Sequence, residues 1–155
     1  MSLIPLIKNA QSQNIGGVIN SYALIDSLDI CNNRLYLNAN QYGSFSKGDT
    51  VLLIQMKGAD LFENVNNQRF GKVRDFKKAG NCEINYVGAV QPGYIELKST
   101  LVNTFNIGSG KVQLVKIPQY KDATITQTLK PLYWNGNIGG ILIFFVSGTL
   151  FFGGY

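Results

Sequence analysis

Tyr120, Tyr133 and Trp134 are the residues of this chain whose types best suit recognition of a sugar. The apolar face of such a ring stacks on a pyranose, and the hydroxyl or indole N–H adds a polar handle. All three fall near turn signals, and they form the candidate ligand-binding set. Packing of Trp134 as a core or interface ring is the competing reading. Covalent and acid–base chemistry has less to draw on. The chain contains no histidine. That removes Ser-His-Asp and Cys-His nucleophile systems and histidine-ligated metal sites. The carboxylates are Asp26, Asp29, Asp49, Asp60, Glu63, Asp75, Glu83, Glu96 and Asp122. A glycosidase needs two of them across a cleft. Most fall at turns or on solvated faces, and no pair is singled out. The chain therefore reads as non-enzymatic, with no catalytic residue, metal site or cofactor assigned.

Other small motifs are accounted for by structure. Asp26, Asp29, Asn32 and Asn33 carry oxygen ligands, but their spacing departs from the calcium-loop pattern. They read as turn formers that satisfy their own backbone. Asp49, after Gly48, reads the same way. Gly16-Gly17 and Gly139-Gly140 lack the lysine and helix of a phosphate loop. Cys31 and Cys82 are a candidate disulfide in an oxidising compartment, or else two buried thiols, and spacing does not choose between these.

The net charge is +5 and the pI about 9.2. The densest basic stretch is Arg69, Lys72, Arg74, Lys77 and Lys78. A nucleic-acid groove interleaves cations with stacking rings. Only Phe70 and Phe76 are available here, and both fall where a strand would bury them. The stretch reads as a solvated edge strand protected by charge, and no nucleic-acid partner is expected.

The elements that must position these residues are strands. Glycine is abundant, at 17, and helical periodicity is almost absent. Short runs of Val, Ile, Leu, Tyr and Phe alternate with turn signals, as in a sandwich or barrel. Strands are expected near Val18 to Ile30, Arg34 to Leu37, Val51 to Met56, Phe70 to Phe76, Cys82 to Tyr86, Tyr94 to Lys98, Val112 to Ile117 and Asp122 to Leu129. Asn32-Asn33 makes a hairpin turn. Gln91-Pro92-Gly93-Tyr94 fits a type II turn. One helical turn is expected at Ala59 to Glu63. Val51 to Ile54 is apolar without a break, which predicts a strand covered on both faces. In Val112 to Ile117, Val112 and Leu114 share one face while Val115 and Ile117 share the other. Pro118 ends that run, because it cannot donate to a ladder.

The fold class is therefore all-β: a single antiparallel barrel-like or sandwich domain of about nine or ten short strands. Residues 1–138 form that domain. Residues 139–155 form a terminal apolar pair, two short strands joined by a turn at Ser147-Gly148-Thr149. The apolar run is too short to span a bilayer, which takes about 20 residues. No transmembrane segment or signal peptide is visible, and no clean internal repeat. Met1-Ser2-Leu3 reads as an added start on an excised domain. The apolar end reads as the first part of a β-rich module that follows, and its open edges predict either a monomer or an edge-paired dimer.

An ordered set of short motifs resembles the amino-terminal domain of very large adhesin-like surface proteins of gliding-type bacteria. It begins with Val18-Ile19-Asn20-Ser21-Tyr22 and Cys31-Asn32-Asn33. Phe45 and Gly48-Asp49 lead into Val51-Leu52-Leu53-Ile54-Gln55-Met56-Lys57-Gly58. Phe70-Gly71-Lys72-Val73 and Ala79-Gly80-Asn81 follow. The set closes with Val112 to Tyr120, Trp134-Asn135-Gly136, Gly139-Gly140-Ile141 and Ser147-Gly148-Thr149-Leu150. The match runs from about residue 15 to the end. It implies a secreted or cell-surface, outer-membrane-associated adhesion module, with Gly139 onward entering a repetitive β-solenoid region. No catalytic residues come with the family. A carbohydrate-binding module and an accessory domain of a polysaccharide-degrading enzyme are the alternatives, with polysaccharide as partner.

Overall fold

The computed structural model describes residues 12–66 and 68–153. Met1-Ser2-Leu3, Pro5 and Lys8, and the last two positions of the 139–155 segment, lie outside the described residues. The strands are β1 (Gln13–Gly17), β2 (Tyr22–Asp29), β3 (Arg34–Tyr42), β4 (Thr50–Gln55), β5 (Asp60–Leu61), β6 (Val73–Asp75), β7 (Cys82–Gln91), β8 (Tyr94–Leu97), β9 (Val112–Ile117), β10 (Gln119–Tyr120), β11 (Ala123–Leu129), β12 (Phe145–Val146) and β13 (Leu150–Phe152). No helix occurs among the described residues, so none is long and apolar enough to cross a membrane. The all-β reading holds. The strand number exceeds nine or ten because several pairings are only two or three residues long.

Six strands close an antiparallel barrel in the order β2-β3-β8-β7-β4-β9. Its interior is packed by Ile25, Leu35, Val51, Leu53, Val87, Ile95, Leu97, Val112 and Leu114. The turns follow from residue type. Asn33 takes a φ of 55°, and the Asp29 carboxylate accepts from the Asn32 amide N–H at 3.1 Å. Gly93 has a φ of 84°, the left-handed value that a type II turn demands of its third residue.

A second apolar layer covers one outer wall of the barrel. Tyr22, Leu24, Leu52, Val115, Ile117 and Ile138 form its core, with Leu132, Ile141 and Ile143 packed against it. This explains the unbroken apolar run of β4. Val51 and Leu53 point into the barrel, whereas Leu52 and Ile54 meet the chain at 132–143. The two faces of β9 divide as expected from the sequence. Each buried Val, Leu or Ile contributes about 1.5–3 kcal/mol.

Residues 132–143 pair with no strand, so their backbone groups need side-chain partners. The barrel wall supplies three. Gln113, fully buried, donates from Nε2 to the Gly139 carbonyl and accepts the Gly139 N–H at Oε1, both at 2.9 Å. Asn20 donates to the Ile143 carbonyl and accepts its N–H. The Tyr22 hydroxyl donates to the Ile141 carbonyl and accepts from the Leu132 N–H. Burial pushes the Tyr22 phenol up from its ordinary value. Gly139 is required here: its φ is 105°, and an added Cβ would lie 2.6 Å from the Tyr133 carbonyl oxygen.

Outside the barrel, β1, β10, β11, β12 and β13 pair in parallel. β11 lies between β1 and β13, and β10 pairs β12. Ile15, Ile125 and Phe152 align across three strands, as do Gln13, Ala123 and Leu150. The barrel is thus inserted between the first and second strands of a parallel stack. β12 and β13 do not pair with each other as a terminal hairpin. Each instead lies beside a strand 26 or 27 positions earlier. Asp122 holds the corner between them by accepting the Thr149 N–H at 2.8 Å.

Other expectations are corrected. The helical turn at Ala59 to Glu63 is instead β5, which pairs with β6 in a two-stranded ribbon. The strand from Phe70 to Phe76 shrinks to Val73–Asp75, and both phenylalanines are exposed. The strand near Val18 to Ile30 begins only at Tyr22, because Val18 to Ser21 leaves the β1–β11 sheet to enter the barrel.

Candidate functional site: a groove between barrel and parallel strands

The register of β7 sets one wall of the site. Leu53 faces Glu83 and Val51 faces Asn85, while Leu52 faces Ile84 and Thr50 faces Tyr86. Directly opposed residues share a face of the sheet. Asn85 is therefore turned towards the barrel interior and is 3% exposed, while Ile84 and Tyr86 face outward and are exposed. The polar pair is fully used. Asn85 donates to the Ser99 carbonyl and accepts the Ser99 N–H. The Glu83 carboxylate accepts the Val102 and Asn103 amides at 3.0 and 2.8 Å. Both side chains secure the loop after β8.

Opposite Ile84 and Tyr86 stand β10 and β12. Between them runs a groove of about 510 Å³, lined by Tyr86, Tyr120, Phe145, Gln119, Lys121 and Ser147 with Thr50 and Ile84. A more polar hollow of about 470 Å³ shares Thr50, Gln119 and Tyr120 with it and holds the Lys116–Asp49 ion pair at 2.8 Å. The Gln119 amide donates to Thr50 Oγ1, which fixes it across the floor. The Tyr120 ring meets Phe144 edge-on at 6.4 Å. Burial pushes the Tyr120 phenol up, so it stays a neutral donor. The Lys98 ammonium lies 5.9 Å from the Tyr86 ring centre. The groove offers ring faces, an amide, hydroxyls and one lysine, with no carboxylate in its lining. Such a surface suits a ligand held by stacking and hydrogen bonding. Among the described residues no group of three or more His, Cys, Asp or Glu is placed to hold a metal.

The three aromatic candidates do not come together. Tyr120 lines the groove. Tyr133 is 83% exposed and Trp134 is half-buried under the Lys57 ammonium at 5.6 Å, and neither lines it. Tyr86 and Phe145 take their places. The Tyr86 signal lay in the conflict within residues 82–87, where Ile84 and Tyr86 alternate out of phase with Val87. Cys31 and Cys82 are both free and exposed. They form neither a disulfide nor a pair of buried thiols. Asp29 is held below the usual carboxylate range, first by the Asn32 side-chain amide, in keeping with a turn former.

No protein-family model, curated protein or solved structure matches the chain.

Proposed function

We propose that the chain is a non-catalytic structural module that starts a parallel β-solenoid within a larger secreted or surface-attached protein of the adhesin-like kind. The observation that carries this reading is the parallel register: 27 positions from β11 to β13 and 26 from β10 to β12. Two neighbouring strands that advance by nearly the same count belong to a chain coiling once per rung. Phe152 continues the stack of Ile15 and Ile125, yet it is 77% exposed. A ring bared on the stacked face of an edge strand suits cover by a further layer. The barrel, clamped along 132–143, serves as the adaptor at the start of the stack.

Inserting a second copy of residues 127–153 directly after Gly153 supplies one further rung in register. The extended chain is expected to unfold several degrees higher. An unchanged midpoint would count against the module.

The groove favours a second, compatible role in binding polysaccharide. Tyr86 and Phe145 provide ring faces, Gln119 and Ser147 provide polar contacts, and Lys121 favours an acidic sugar. Titration with uronate oligosaccharides is expected to show binding that falls by about two- to tenfold in Tyr86→Ala, the scale of one lost aromatic contact. Equal binding by the variant, or none by the parent chain, removes this role.

A further inference from the structure

The ribbon of β5 and β6 leaves the barrel after Met56 and returns at Cys82, and its side chains have little to do with the fold. None of its apolar residues belongs to either core cluster. Leu61, Val65, Phe70, Val73 and Phe76 are all exposed, Val65 at 74% and Phe76 at 66%. Leu61 and Val73 are opposed across the two strands and so share one face. Five large apolar side chains are bared within one short excursion, and exposed apolar surface of this kind marks interaction sites. A lone two-stranded ribbon is marginal in water. This one is braced at its base, where Asp60 accepts Arg74 at 3.1 Å and Lys77 at 2.7 Å, and near its tip, where the Gly71 N–H donates to the Phe62 carbonyl at 2.9 Å.

Its charge is net positive. Arg69, Lys72, Arg74, Lys77 and Lys78 face Asp60, Glu63 and Asp75. Arg74 and Lys77 are engaged with Asp60, and the Arg69 guanidinium lies 5.8 Å from the Phe62 ring centre. Lys72 and Lys78 have no carboxylate within ion-pair distance among the described residues. A partner must therefore accept hydrocarbon and also carry negative charge.

Single-stranded nucleic acid satisfies the second demand, and of the first only the exposed rings of Phe70 and Phe76. Bases stack on ring faces and follow a groove, but Leu61, Val65 and Val73 have no ring face. The interfacial zone of an anionic bilayer satisfies both. It takes apolar side chains below the headgroups and attracts nearby lysines through its surface potential. We propose that this ribbon is a peripheral anchor that inserts its apolar side chains into an anionic phospholipid surface, with Lys72 and Lys78 on the headgroups.

The test is co-sedimentation of the full chain with vesicles of mixed phosphatidylglycerol and phosphatidylcholine, beside pure phosphatidylcholine. Binding is expected only to the anionic vesicles. It should weaken roughly tenfold or more in Lys72→Gln/Lys78→Gln and at high salt, and at least as much in Phe70→Ser/Phe76→Ser. Near-UV circular dichroism is expected to show the barrel intact in both variants, because the altered side chains lie outside its core. Absence of binding to anionic vesicles overturns the proposal. So does binding that either double variant leaves unchanged. Tight binding of a single-stranded oligonucleotide, lost in the same variants while vesicles stay unbound, would reassign the ribbon to nucleic acid.

Discussion

At the scale of single residues, the molecule depends on buried polar side chains that serve the backbone of another segment. Gln113 is the clearest case. It sits between Val112 and Leu114, and its amide meets both polar groups of Gly139. Gln113→Ala would leave a buried N–H and a buried carbonyl without partners. At about 1–3 kcal/mol for each unsatisfied group, the variant is expected to lose roughly 2–6 kcal/mol in chemical denaturation. A loss near zero would mean that water replaces the amide and that the 132–143 clamp is not held this way. The apolar framework around Gln113 was legible in the chain. The split of Val112 and Leu114 from Val115 and Ile117, and the two-sided cover of Val51 to Ile54, are both present in the structure. The roles of Asn20 and Gln113 were not legible, because a lone amide among apolar residues does not say which distant backbone it will meet.

At the scale of elements, strand register outweighed local alternation. The stretch Cys82 to Val87 offers two phases, and pairing with β4 chose the one that turns Glu83 and Asn85 inward. The choice reverses the usual expectation for substitutions. Asn85→Ala is expected to destabilise by about 1–3 kcal/mol, since it strands the Ser99 backbone. Tyr86→Ala is expected to stay within about 0.5 kcal/mol, as for surface positions generally. Thermal melts of the two variants decide this, and a larger loss for Tyr86→Ala would mean that its ring packs against the barrel rather than lining the groove. The same limit explains Phe70 and Phe76. Their neighbours read as a strand, but nothing local reveals that the strand joins an isolated ribbon with no core behind it. The aromatic candidates were half legible for a related reason. Tyr120 was found from its type and position, whereas Tyr86 and Phe145 become its neighbours only through pairings far apart in the chain.

At the scale of the whole molecule, two architectures share one chain. An antiparallel barrel is inserted into a parallel stack, and the wall formed by β2, β9 and β4 joins them through residues 132–143. The all-β class and the strand-rich end were legible from composition and turns. The rung was not. Its period lies in the backbone register, while Ala123-Thr124-Ile125 and Leu150-Phe151-Phe152 share no residue type at matched positions. The barrel also separates β1 from β11, so no repeat shows by inspection. The stack predicts how further chain would be added: parallel, at the β12 and β13 edge, one coil of 26 or 27 positions at a time.

Amide hydrogen exchange over residues 144–153 tests this most directly, measured in the chain as it stands and with a second copy of 127–153 inserted after Gly153. A newly seated rung is expected to slow exchange at Leu150 and Phe152 strongly, since their N–H groups point away from β11 and become hydrogen-bonded at the new edge. It should leave the barrel strands unchanged. Exchange at those residues that stays equally fast in both chains would contradict the solenoid reading and leave the parallel pairs as a closed feature of this domain.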